Sequence, residues 1–277
     1  MNMESPRMLK QTLKWSALAL ALVLPLAAQA HKLWLLPSAT DVSGADPWVT
    51  VDAAVSNDLF YPDHMPVALE RVVVTAPDGQ TAKVENASTG QYRSVFDVHL
   101  TQSGTYKIAA FNGGLFASYE LNGEKKRWRG EAANLAKEIP AGAKNVEVSE
   151  SINRVETFVT NGKPSDAALK PSGKGLELAP ITPFTDLAAD EPATFQLLLD
   201  GKPAAGLKIT AIAGATRYRN AQDELDVTTD KDGKFSLRWP HAGMYWISAS
   251  TQDDKASVKP AKQRRLSYAA TLEVLPQ

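Results

Sequence analysis

The sequence has 277 residues, with 30 basic against 31 acidic side chains, four histidines and no cysteine. So even a balance gives no electrostatic footprint for nucleic acid or an anionic membrane surface as partner. The missing cysteine removes disulfides and thiolate nucleophiles, and leaves His, carboxylate, Met, backbone or water to build any metal site.

In chain order, Arg7, Lys10 and Lys14 precede an apolar run from Trp15 to Ala27 that closes on Ala28-Gln29-Ala30. That is the pattern of an export signal, so residues 1–30 are expected to be removed and the mature protein to be periplasmic. Cleavage there removes Glu4, Arg7, Lys10 and Lys14, leaving 247 residues with a net charge of -3 and His31 as the new N-terminus. No second apolar run is long enough to span a membrane.

Residues 31–120 read as strands. Lys32 to Leu36 stops at Pro37, and Trp48 to Val55 alternates with Val49, Val51, Ala53 and Val55 on one face. Leu69 to Thr75 ends in a Pro77-Asp78-Gly79 turn, and Tyr92 to Leu100 joins Thr105 to Phe111 through Gln102-Ser103-Gly104. Residues 121–174 have another texture, rich in charge, Gly and Pro, and read as a small irregular connecting insert. It holds a basic stretch from Lys125 to Arg129 around Trp128, a short helix over Glu131 to Glu138 and one long strand over Val146 to Val159. The basic stretch reads first as a charged surface loop anchored by its tryptophan, with a grip on an anionic ligand or partner protein as the alternative.

From residue 175 to 277 the strand-and-turn rhythm returns. Asp200-Gly201-Lys202-Pro203, then Asp230-Lys231-Asp232-Gly233, then Gly243-Met244-Tyr245-Trp246 follow an order that resembles transthyretin-like and carboxypeptidase-regulatory sandwiches. The expected fold is all-β: two immunoglobulin-like or transthyretin-like β-sandwiches, 31–120 and 175–277, joined by the insert.

His31 offers an α-amine and an imidazole on one residue, two nitrogens able to chelate a single divalent ion. A second histidine completes a three-nitrogen brace suited to Cu(II) first and Ni(II) next. The free amine has a pKa of about 8, so such binding weakens in acid. His64 lies in a loop bounded by Pro62 and Pro66, flanked by Asp63 and Met65, a hard and a soft donor. His99 sits opposite the apolar face of Phe96, Val98 and Leu100, and His241 sits in a turn. Both rank below His31 and His64 as ligands. There is no Gly-x-Ser-x-Gly elbow, His-Glu-x-x-His zinc helix or phosphate loop, so no catalytic residue is assigned and a non-enzymatic protein is expected.

Residues 31–38 (His-Lys-Leu-Trp-Leu-Leu-Pro-Ser), 46–51, 155–159, 174–178, 233–237 and 242–246 resemble, in order along the chain, the bacterial exported domain-of-unknown-function family 4198. The resemblance implies a periplasmic component of nickel or cobalt uptake, or one linked to TonB-dependent iron acquisition. It maps the mature-terminal histidine to His31 and the loop histidine to His64. The expected function is therefore binding of a transition metal ion (copper, nickel, cobalt or iron) or a metal complex, with His31 and His64 as ligands and Asp63 or Met65 as weaker donors. The alternative is a non-catalytic module partnering an envelope metal or siderophore transporter. A copper-dependent monooxygenase is third, because no aromatic cluster is evident near His31.

Overall fold

The computed structural model describes residues 31–277, so the expected export segment, 1–30, lies outside the described residues. The first half of the chain forms β1 (Lys32–Pro37), β2 (Asp41–Val42), β3 (Trp48–Ser56), β4 (Met65–Pro66), β5 (Val72–Thr75), β6 (Thr81–Ala82), β7 (Glu85–Thr89), β8 (Ser94–His99) and β9 (Gly104–Leu121). A second stretch forms β10 (Glu124–Gly130), the helix α1 (Ala132–Glu138) and β11 (Lys144–Asn161). The remainder forms β12 (Leu176–Pro180), β13 (Pro192–Leu199), β14 (Lys202–Pro203), β15 (Lys208–Ala213), β16 (Leu225–Thr228), β17 (Lys234–Arg238), β18 (Gly243–Asp253) and β19 (Gln263–Val274). The fold is all-β.

These strands make three sheets. The largest has the order β16-β15-β18-β19-β11-β9-β5-β6, with β10 added to β9 and β2 to β11. A five-stranded sheet runs β1-β3-β8-β7 with β4 on β3, and a third joins β12, β13, β14 and β17. The two smaller sheets cover opposite faces of the large one, as the period-two alternation of its central strands shows. On β11, Val155 and Val159 join Tyr106, Ile108 and Ala110 of β9 in a core completed by Leu35, Val49, Val51, Phe96 and Val98. The next residue inward, Phe158, faces the other way with Tyr268, Ala270 and Leu272 of β19, against Phe195, Leu197, Phe235, Leu237 and Trp239.

The segment 121–174 thus supplies β10, α1 and β11, and β11 is the strand that both cores share. It pairs antiparallel with β9 and parallel with β19. Every residue from Arg154 to Asn161 is buried, including two charges that burial makes costly unless they are paired. The Arg154 guanidinium meets the Glu177 carboxylate and donates to Ser172 Oγ at 3.1 Å and the Lys174 carbonyl at 3.0 Å. Tyr268 donates its hydroxyl to Glu156 at 2.8 Å. Burial lifts the Glu156 carboxyl above its ordinary range. At Glu177 burial acts in the same direction, but donation from the Ser172 amide and hydroxyl, with Arg154, outweighs it and holds the carboxyl below its usual range.

The alternation expected for β3 holds from Trp48 to Ala53 and then changes phase. Ala54 and Ser56 are buried and Val55 only partly so. Past Ala53 a further apolar layer, built from Trp34, Leu59 and Ile212, covers the face that would otherwise meet water.

Candidate metal site at the head of the β1–β3 pair

Three chain segments converge where β1 begins. Trp34, fully buried, donates its indole N–H to Ser56 Oγ at 2.7 Å, and Ser56 Oγ in turn donates to the Asp58 carbonyl at 2.5 Å. The start of β1, the end of β3 and the loop after it are therefore tied through one aromatic side chain. Lys32 pairs with Ser56 across the β1–β3 ladder, while Met65 of β4 pairs with Val55 on the other edge of β3. His31 and His64 each sit one residue outside these ladders, at the same end of the sheet, with β3 between them.

The loop from Asn57 to His64 is held from inside and outside. Asp63 accepts the Asn57 amide on Oδ1 at 2.9 Å and the Asn57 side-chain N–H on Oδ2 at 3.4 Å. The Leu59 amide donates to Thr216 Oγ1 at 3.0 Å, and the Arg217 guanidinium lies 3.9 Å above the Tyr61 ring. Phe60, at a positive φ of 60°, sets its ring edge-on to Trp34 at 5.7 Å. The same ring presses on Gly214, where a β-carbon would come within 3.1 Å of it. A glycine fits there because of this close contact, and of the Met244 carbonyl at 3.2 Å, rather than because of turn geometry.

The result is a direct encounter of the two leading histidines. The His31 and His64 rings stack with centroids 3.8 Å apart and planes 7° from parallel, and both side chains are exposed. Next to them Lys32 is buried, which pulls its ammonium below its ordinary pKa, while the Glu224 and Asp58 carboxylates act against that shift. Met65 is half exposed, at 46 %. Both Asp63 oxygens are engaged by Asn57, so that carboxylate closes the loop. Among the described residues no group of three or more His, Asp or Glu side chains is arranged as a ready cage for a metal ion.

The other two histidines lie elsewhere. His99 stacks on Trp48 at 4.1 Å, 6° from parallel, and contacts the Asp46 carboxylate. His241 accepts the Tyr245 hydroxyl on its backbone carbonyl at 2.9 Å, a corner that pins the turn before β18. Residues 214–224 were not singled out in the sequence as part of this end. They bring Thr216, Arg217 and Glu224 to it, together with Tyr218, which is 83 % exposed. Tyr61, at 39 %, is a second exposed tyrosine in this region, and short-range sequence patterning reveals neither.

No curated protein matches the chain. Among solved structures, the D0–D1 domains of intimin are 12% identical over 87% of this chain and 97% of that one, with a TM-score of 0.21. Latent PorU from Porphyromonas gingivalis is 11% identical over 89% and 20% of the two chains, with a TM-score of 0.22. Escherichia coli alpha-2-macroglobulin activated by porcine elastase is 11% identical over 87% and 31%, with a TM-score of 0.21. Likenesses this distant carry no argument about function. The family model for a domain of unknown function, DUF4198, matches residues 28–253, and the chain belongs to that family.

Proposed function

We propose that this protein binds a transition metal ion, or a complex of one, in the periplasm, through His31 as processed N-terminus together with His64. The observation that carries the reading is the contact itself: two imidazoles 33 positions apart in sequence stand ring to ring at 3.8 Å. Removal of residues 1–30 adds the α-amine of His31, making three nitrogen donors. That set favours Cu(II) and Ni(II) over hard, oxygen-seeking cations. Met65 and water complete the coordination, and the Asp63 carboxylate serves the loop first.

The stack also defines what binding requires. Imidazole lone pairs lie in the ring plane, and one ion cannot lie in two parallel planes at once. Binding therefore rotates at least one ring out of the stack, which two exposed side chains allow. Nickel, cobalt, copper and iron remain within the reading, as does delivery to an envelope transporter. Mass spectrometry of the exported protein, native and metal-loaded, tests the proposal by reporting the first residue and the bound mass together. A first residue other than His31, or unchanged metal affinity in His64→Ala, overturns it.

A second reading, copper-dependent oxidation of a saccharide surface, draws on the exposed Tyr61 and Tyr218 beside the loop. Peroxide-driven cleavage of polysaccharide by the copper-loaded protein would favour it, and absence of any product would remove it.

A further inference from the structure

The large sheet outruns the small sheets that cover it. At its free end β10, β9, β11 and β19 lie side by side, with Trp128 beside Ala117 and Val148, and Arg129 beside Phe116 and Ser149. One face of this extension is closed by α1, where Leu115, Ala117 and Leu135 pack with Trp128, Ile139 and Val148. The opposite face has no such cover. It forms an open groove of about 840 Å³, with Arg127 and Arg129 on the β10 rim, Arg265 of β19 and Lys262 just before that strand on the facing rim, and Phe116 and Ser149 in the floor.

All four cationic side chains are exposed, and none takes part in an ion pair among the described residues. Glu147 is the single acidic residue lining the groove. The concentration of positive charge stands out in a chain that is net acidic. One of the four is already oriented: Arg129 donates to Asn112 Oδ1 at 3.0 Å and lies 5.1 Å from the centre of the Phe116 ring. The two rims are three strand spacings apart, roughly 14 Å at about 4.8 Å each.

We propose that this groove binds a small organic polycarboxylate, with a carboxylate on each rim and an apolar or aromatic body over Phe116. Its volume matches sites for small molecules, which span about 300–1,000 Å³. The guanidinium fork matches the planar carboxylate in a two-point contact. Phosphate sites commonly rely on unpaired backbone N–H groups at a helix start or a nest of amides. Here the floor is a paired sheet, so recognition falls to side chains.

The test uses the full mature chain and 1,3,5-benzenetricarboxylate as probe, titrated by calorimetry beside benzoate, pyrophosphate and a ten-residue acidic peptide. The tricarboxylate is expected to bind at least about tenfold more tightly than benzoate, and to lose about tenfold in affinity in the Arg127→Gln/Arg265→Gln double variant. Circular dichroism and metal binding at His31 and His64 should stay as in the wild type, which separates this site from the metal site. Unchanged affinity in the double variant overturns the proposal, as does absence of binding at about 1 mM. Tighter binding of pyrophosphate, or binding of the peptide alone, overturns it in favour of a phosphate or protein ligand.

Discussion

Two stacks among the described residues involve histidine, and their geometry is nearly the same. His31 lies on His64 at 3.8 Å and 7°, and His99 lies on Trp48 at 4.1 Å and 6°. The chemistry differs because the partner differs. His99 has an indole face on one side and the Asp46 carboxylate at its Nε2. The His31–His64 pair instead puts two imidazoles, each able to ligate a metal ion, side by side. One stack joins an imidazole to an indole and the other joins two imidazoles able to share a cation, so stacking alone does not tell a structural histidine from a ligand.

The largest effect expected from breaking this contrast is loss of metal affinity in His64→Ala. Copper or nickel binding measured by calorimetry should fall by more than about 100-fold, beyond the 10–100-fold typical of losing a group that only supports a ligand. His31→Ala should fall less, because a chain processed as proposed would keep its α-amine at position 31.

Next in size is Trp34→Phe, which leaves Ser56 Oγ without its indole donor in a buried position. It should cost about 1–3 kcal/mol of stability in chemical denaturation. Metal affinity should drop with it, since Trp34 ties the start of β1 to the loop that carries His64. Stability lost with affinity intact would mean the two histidines meet without that tie.

The sequence makes one pair easier to foresee than the other. Trp48 and His99 are partners across the β3–β8 ladder, and the alternation of both strands places them on the solvent side. His64 can be recognised as a loop histidine from Pro62 and Pro66, and His31 from the small residues before it. Their meeting depends on β1 and β4 flanking β3, a pairing that no local pattern encodes. The docking of 214–224 is harder still, because Gly214 is explained only by neighbours distant in sequence, the Phe60 ring and the Met244 carbonyl. The long strand over 146–159 is legible, yet its central role is hidden by Arg154 and Glu156, which break the apolar run expected of a strand buried on both faces. Their partners Glu177 and Tyr268 lie far along the chain. The basic stretch at Lys125 to Arg129 is plain in the sequence, whereas its facing rim at Lys262 and Arg265 follows from the parallel pairing of β11 with β19.

Lys32→Met sharpens the contrast at an intermediate level. The buried ammonium feels the Asp58 and Glu224 carboxylates and places a like charge near the proposed cation. Replacing it should raise metal affinity about threefold. It should also alter the pH profile of stability. Burial lowers the Lys32 pKa in the folded state, so in alkali below about pH 10.4 the unfolded chain holds more protons at this residue, and stability gained from it rises with pH. The variant should lack that rise in denaturation curves taken across the same interval, and a rise that persists would assign it to another group.

The smallest effect belongs to the other stack. His99→Leu gives up the contact with Asp46 and the polar ring on Trp48, both at the protein surface, so stability should fall by no more than about 1 kcal/mol. Metal affinity should not change at all, even though the ring removed has the same orientation to its neighbour as His64. That null result is the sharper half of the comparison. Should His99→Leu weaken copper or nickel binding as His64→Ala does, the ion would be held by scattered surface imidazoles, and the pairing of His31 with His64 would lose its special standing. Should only His64→Ala respond, the second ring nitrogen set beside the first, and not the stack, is what the metal reads.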